Sequence, residues 1–131
     1  MVHVLRALRR QEKGQTLFYR ALAADAELAG MAELAERFNE LHADEQHHLS
    51  RLTARLLELG EEVDDLTDFP RPTPVFDEWE AEARKREEGE IAAYEAALTD
   101  MEDEATREIF VEILESERQH AQHLGGKWMP A

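Results

Sequence analysis

The residues in this chain best suited to chemistry are two glutamate–histidine pairs, Glu45-x-x-His48 and Glu117-x-x-His120, each set in the same surroundings. Phe38 to Leu52 reads FNELHADEQHHLSRL, and 72 residues later Phe110 to Leu124 reads FVEILESERQHAQHL. Phe38 returns as Phe110, Glu40 as Glu112, Leu41 as Ile113, Glu45 as Glu117, His48 as His120 and Leu52 as Leu124. A single Glu-x-x-His says little in a chain with 22 glutamates and 6 histidines. Two of them, flanked alike, are a repeat. Apart from Glu40 and Glu112, the shared positions follow i, i+3, i+7 spacing, which places them on one face of a helix. Such a stripe should be apolar, so a carboxylate and an imidazole at its centre need a partner. The chain has no cysteine. Any metal must therefore be held by carboxylate and imidazole, and disulfides, thiolate zinc, iron–sulfur clusters and a cysteine nucleophile are excluded.

Four helices are needed to position these residues. Residues 2–29 lack proline and show an inward face of Leu5, Leu8, Glu12, Gln15 or Thr16, Tyr19, Leu22 and Ala26 at helical spacing. Gly30 breaks this helix. A second, 31–59, carries Leu34, Phe38, Leu41, Glu45, His48, Leu52, Leu56 and Leu59 on one face, and Gly60 closes it. In 61–75 prolines at 70, 72 and 74 forbid helix and favour an extended segment. About 15 extended residues reach ~50 Å, against ~35–45 Å for each helix, so this segment can run the length of a bundle. A third helix, 76–98, presents Phe76, Ala83, Glu87, Ile91, Tyr94 and Leu98. The fourth, 104–124, carries the second Glu-x-x-His and should end at Gly125-Gly126, leaving a short tail from Lys127.

The first halves of the two hairpins repeat as well, at an offset of 75. Arg9 to Gly14 (RRQEKG) matches Arg84 to Gly89 (RKREEG), and Tyr19 matches Tyr94. The reading is an all-α four-helix bundle built from two duplicated hairpins joined by one long crossover, a single domain over residues 1–131.

The polar residues on the four inward faces are Glu12, Glu45, His48, Glu87, Glu117 and His120. Four carboxylates buried together repel one another and lose hydration, and these faces offer no Lys or Arg. Two divalent cations balance four negative charges. Glu45 and Glu117 would bridge or chelate, with Glu12 and Glu87 capping one ion each. Mixed oxygen and imidazole ligands suit iron or manganese. One Glu from each of two helices plus Glu-x-x-His from each of the other two is also the pattern of di-iron carboxylate bundles.

With these motifs in place, the chain resembles the ferritin-like superfamily, in particular its rubrerythrin and bacterioferritin branch. The resemblance rests on Glu12 with Tyr19, Glu45-x-x-His48, Glu87 with Tyr94, Glu117-x-x-His120 and the crossover, and so covers all four helices. It implies a centre of two iron ions, with manganese as the other candidate. It also implies an oxidoreductase that oxidises a di-ferrous centre with peroxide or dioxygen, the alternative being a ferroxidase that serves iron storage. No cysteine-rich rubredoxin module is present, so a peroxidase would draw on an external electron donor. The residues after Leu124 are expected to be too few for the short fifth helix of cage-forming ferritins, which argues against a storage shell. Rubrerythrins carry an additional glutamate on the third helix, and Glu90 stands where it would be, with a surface position in the run Glu87-Glu88-Gly89-Glu90 as the other reading. Tyr19 and Tyr94 are expected to hydrogen-bond the carboxylates of the centre. Met31 and Met101 read as core or cap residues, His42, His47 and His123 as surface or rim, and Trp79 and Trp128 as packing.

With 15 basic against 30 acidic residues, the net charge is −15. A chain this acidic is repelled by nucleic acid and by anionic membranes. The cluster Arg6, Arg9, Arg10 reads as a solvated helix face. No apolar run approaches the ~18 residues of a membrane span, and nothing at the N-terminus resembles a signal peptide, so the expected location is cytoplasmic and the expected assembly a homo-oligomer, dimer or higher.

Overall fold

Glycine ends both helices of the first hairpin, and it does so in the same way. In the computed structural model, which describes residues 1–124, α1 (Val2–Leu28) and α2 (Ala32–Glu58) are each followed by a glycine with positive φ, Gly30 at 73° and Gly60 at 77°. The Met31 amide reaches back to the Ala26 carbonyl and the Glu61 amide to the Leu56 carbonyl, while Gly30 and Gly60 bond Glu27 and Leu57. These are paired Schellman caps, and the left-handed backbone they need is open to glycine without steric cost.

The third element starts differently from expectation. Phe76–Glu78 form a 3₁₀ turn, and α3 proper spans Trp79–Thr99. α4 covers Glu104–His123, capped by Asp103, whose carboxylate accepts from the Thr106 amide at 3.0 Å. Arg55 near the end of α2 donates to Asp103 (2.8 Å) and to the Thr106 hydroxyl (2.9 Å), tying the start of α4 to α2. The expected helix end at Gly125-Gly126, the tail from Lys127 and the packing role of Trp128 lie outside the described residues.

α1 packs on α2 and α3 on α4; the two hairpins meet through α1 with α3 and α2 with α4. The result is a four-helix bundle of ferritin-like fold, all-α among the described residues. The inward faces of α1 and α2 bury the predicted residues, with Leu59 half-buried and Phe18 and Ala23 buried in addition. On α3 the stripe is Trp79, Ala83, Glu87, Glu90 and Tyr94, so Trp79 and Glu90 point inward while Ile91 and Leu98 are half-buried. Trp79 meets Phe38 edge-on at 4.7 Å between ring centroids, a packing role as expected. Met101 is buried in the core and Met31 caps α2.

The apolar core is divided in two. One half gathers Phe18, Leu22, Phe38 and Trp79; the other gathers Leu5, Leu52, Leu56, Phe110 and Ile113. The polar inward-facing residues form the layer between them. The crossover runs against α1, which corrects the solvated reading of the arginine cluster. Arg6 donates to the Glu62 carbonyl (3.1 Å), Arg9 to the Asp64 carbonyl (2.9 Å), and the Arg10 guanidinium stacks over Phe69 at 5.3 Å. No helix among the described residues is long and apolar enough to cross a membrane.

Candidate metal centre

All six expected ligands converge between the two half-cores, one or two from each helix. Glu12 from α1, Glu45 and His48 from α2, Glu87 from α3, and Glu117 and His120 from α4 are all buried. They fall into two overlapping sets. Glu12, Glu45, His48 and Glu117 each offer a ligand atom within 4.8 Å of the others, and so do Glu45, Glu87, Glu117 and His120. Glu45 and Glu117 belong to both. The i, i+3 spacing on α2 and α4 puts each shared carboxylate one turn from its histidine.

Both imidazoles turn Nδ1 toward the carboxylates. His48 Nδ1 lies 3.1 Å from Glu117, 3.6 Å from Glu12 and 3.8 Å from Glu45. His120 Nδ1 lies 3.1 Å from Glu45 and 3.6 Å from both Glu87 and Glu117. The rings stand 6.3 Å apart at an angle of 28°.

Two tyrosines fix the outer carboxylates, and they do so crosswise. Tyr19 of α1 donates to Glu87 Oε1 on α3 at 2.5 Å, and Tyr94 of α3 donates to Glu12 Oε1 on α1 at 2.7 Å. Each phenol thus serves the carboxylate of the other hairpin rather than the one two turns away on its own helix. Each of these glutamates has one oxygen engaged and the other, Oε2, without a hydrogen bond. Gln15 adds a bond from Nε2 to Glu87 Oε1 at 3.3 Å.

The electrostatics express the crowding. Burial, then Glu12, pushes the Glu45 carboxyl well above its ordinary range; burial, then Glu45, does the same to Glu117. Glu12 goes the other way, because His48, Glu45 and Tyr94 together outweigh the effect of its burial. Burial alone would lower both imidazoles, but the surrounding carboxylates outweigh it: Glu117 and Glu12 hold His48 up, to about 9, and Asp44 and Glu87 hold His120 up, to about 10. Burial and the adjoining carboxylates also push both tyrosines well up. Burial and mutual repulsion thus favour the protonated forms of Glu45 and Glu117, and the surrounding carboxylates those of both imidazoles.

Glu90 is not a surface residue. It is 2% exposed, and burial followed by the charges of Glu12 and Glu87 raises its carboxyl well above the usual range. It stands beside Glu12 without belonging to either four-residue set. The other reading, a solvated member of an acidic run, is excluded.

Asp44 is a neighbour of the cluster that the sequence reading missed. His120 Nε2 donates to Asp44 Oδ2 at 2.9 Å, so that Nδ1, once it gives up its proton, presents its lone pair to the cluster. A carboxylate behind a histidine in this way orients the ring and raises its basicity. The signal was its place next to Glu45, but an exposed Asp on the flank of α2 looks like any other surface acid. His42 is half-buried against the Thr16 carbonyl (3.0 Å), while His47 and His123 are exposed, as expected of rim residues.

These residues fit a metal site. Both oxygens of Glu45 and of Glu117, one each of Glu12, Glu87 and Glu90, and Nδ1 of both histidines are buried without a hydrogen-bond partner. Each such atom costs about 1–3 kcal/mol if nothing satisfies it, and a cation would satisfy them together. A comparison with curated protein sequences gives no match. The family model described as Rubrerythrin matches residues 4–126, which includes every residue of the cluster. The chain belongs to the rubrerythrin family.

Proposed function

We propose that the cluster holds two iron ions and that the protein is a rubrerythrin-like oxidoreductase acting on peroxide or dioxygen. The observation that supports this most is the sharing of Glu45 and Glu117 by two otherwise separate ligand sets, one completed by Glu12 and His48, the other by Glu87 and His120. Two divalent ions neutralise the four carboxylates. When bound, a redox-active pair supplies two electrons to an oxidant together with Lewis acidity.

The protein's own groups do the rest. Tyr94 holds Glu12 by Oε1 and leaves Oε2 facing His48, while Tyr19 holds Glu87 by Oε1, the oxygen that also faces His120. Asp44 keeps the His120 proton on Nε2, away from the coordinating nitrogen. Glu90, buried beside Glu12, is proposed as an additional carboxylate for the ion on that side. The half-cores above and below keep bulk water from the layer, where electrostatic interactions are stronger than in solvent.

The test is anaerobic loading with ferrous iron to saturation, followed by rapid mixing with hydrogen peroxide or dioxygen in parallel. The expected result is two irons per chain, oxidised in one rapid phase, with peroxide the faster oxidant. Uptake continuing well past two per chain, with dioxygen faster, would overturn this in favour of a ferroxidase serving storage. Tight zinc occupancy with no reaction after iron supply would make the metal structural.

A further inference from the structure

Opposite the α2–α4 face, an open groove of about 520 Å³ lies between α1 and α3 under the crossover. Its walls come from the duplicated segments: Gly14 and Gln15 on α1, Gly89 and Glu90 on α3, related by the offset of 75. Glycine inside a helix costs about 1 kcal/mol relative to alanine. A Cβ at Gly14 would meet the Phe69 ring at 3.5 Å, an ordinary contact, so packing does not require glycine there. A Cβ at Gly89 would meet nothing within 4 Å. Gly89 leaves that wall of the groove bare.

Two buried polar residues close the groove toward the cluster. Gln15 is 1% exposed with Oε1 lacking a hydrogen-bond partner, and Glu90 is 2% exposed with Oε2 lacking one. Both oxygens call for a donor. Gln15 in turn donates to Glu87, so the floor is one hydrogen bond from the cluster.

The rim has the opposite charge from the rest of the protein. Arg10, Arg71 and Arg86 line it, in a chain of net charge −15. Arg10 stacks on Phe69, Arg86 stacks on Phe18 at 4.3 Å and pairs with Glu82 at 3.6 Å, and Arg71 has no carboxylate partner among the described residues. Such a rim repels a metal cation and attracts an anion. Phe69, Pro70 and Pro72 supply flat apolar surface, and the volume suits a ligand of drug size.

We propose that this groove binds a small planar aromatic molecule bearing an anionic group, its ring on the bare Gly89 wall beside Phe69, its anion at the arginine rim and a ring-edge donor on Gln15. Gln15 and Glu90 also border the cluster, so the test uses metal-free protein. Flavin mononucleotide serves as probe, followed by fluorescence quenching and anisotropy, with riboflavin as the same ring without the anion and inorganic phosphate as the anion without the ring. The expected result is saturable one-to-one binding of flavin mononucleotide, at least tenfold weaker binding of riboflavin, and no displacement by equimolar phosphate. Gly89→Leu and Arg71→Ala should each weaken binding at least tenfold, with Gly89→Leu melting no lower than wild type. No binding of flavin mononucleotide, equal binding of riboflavin, or a folded Gly89→Leu variant that binds like wild type would each overturn the proposal. Should Gly89→Leu fail to fold, unchanged binding by Arg71→Ala, a substitution on the exposed crossover, overturns it instead.

Discussion

Stripping metal from the loaded protein should lower its melting temperature by about 15 °C for each ion lost. An ion present at a thousand times its dissociation constant stabilises the folded state by ~4.1 kcal/mol. Unfolding entropy of ~2.1 cal/mol/K per residue over 131 residues gives about 0.27 kcal/mol per degree, and the ratio is about 15 °C, or about 30 °C for two ions. The structural basis is the layer of buried carboxylates without hydrogen-bond partners, which only the folded chain brings together. The assay is a thermal melt by circular dichroism of chelator-treated protein against protein loaded anaerobically with ferrous iron, repeated with manganese in air. Glu45→Gln separates ligation from packing. Burial already drives Glu45 toward its neutral form, so the neutral amide should leave the metal-free melt within about 2 °C of wild type, the equivalent of ~0.5 kcal/mol, while removing most of the gain from metal. Identical melting of stripped and loaded wild type would refute the metal reading. A Glu45→Gln variant that is as damaging without metal as with it would show that the carboxylate is structural.

Tyr94→Phe strips Glu12 Oε1 of its hydrogen bond and Tyr19→Phe removes the phenol from Glu87; each should cost about 1.5–3 kcal/mol, read as a loss of about 5–11 °C in the metal-free melt. Asp44→Ala should weaken metal binding by about 10–100-fold, measured by competition against a chromophoric chelator, with the metal-free melt little changed because Asp44 is exposed. The Thr106 hydroxyl, then the Thr106 amide and Arg55, hold the Asp103 carboxyl below its ordinary range. A depressed carboxyl contributes stability that is complete above its unfolded pKa of ~3.9 and lost as pH falls through its lower folded value. The difference in melting temperature between wild type and Asp103→Asn should therefore be constant above about pH 5 and close below about pH 4; a gap that persists undiminished at pH 2 would show that the ionised carboxylate is not what caps α4.

The buried layer of carboxylates and histidines was legible because duplication supplied a control inside one sequence. Glu45 and His48 alone are one motif among many acids, whereas their return as Glu117 and His120 with Phe110, Ile113 and Leu124 at matching positions fixes both the face and the element. Helix ends at Gly30 and Gly60 were legible for a local reason, since a capping glycine needs nothing distant. What stayed hidden depends on which helix faces which. The tyrosines lie on the same face as their own helix's glutamate, and only the packing of α1 against α3 shows that each reaches across to the other. Asp44 could not be separated from other exposed acids without the His120 ring beside it. The arginines of α1 looked solvated because their partners are carbonyls of the crossover, more than 50 residues away and without any periodic signal.

Duplication alone would make the two proposed metal positions equivalent, and the residues that touch the ligands make them unequal. Glu12 and Glu87 match, as do Glu45 with Glu117 and His48 with His120, but their neighbours do not. Asp44 backs His120, while the position equivalent to Asp44 in the second repeat holds Ser116. Glu90 stands beside Glu12, while its equivalent in the first repeat is Gln15, an amide that donates to Glu87. A carboxylate behind a histidine strengthens that nitrogen as a donor, and a carboxylate beside a glutamate adds negative charge in front. The His120 side thus gains its extra charge at second hand, through an imidazole, and the Glu12 side directly. Two exchanges, one on α2 against α4 and one on α3 against α1, are enough to break the symmetry of the site without moving any proposed ligand.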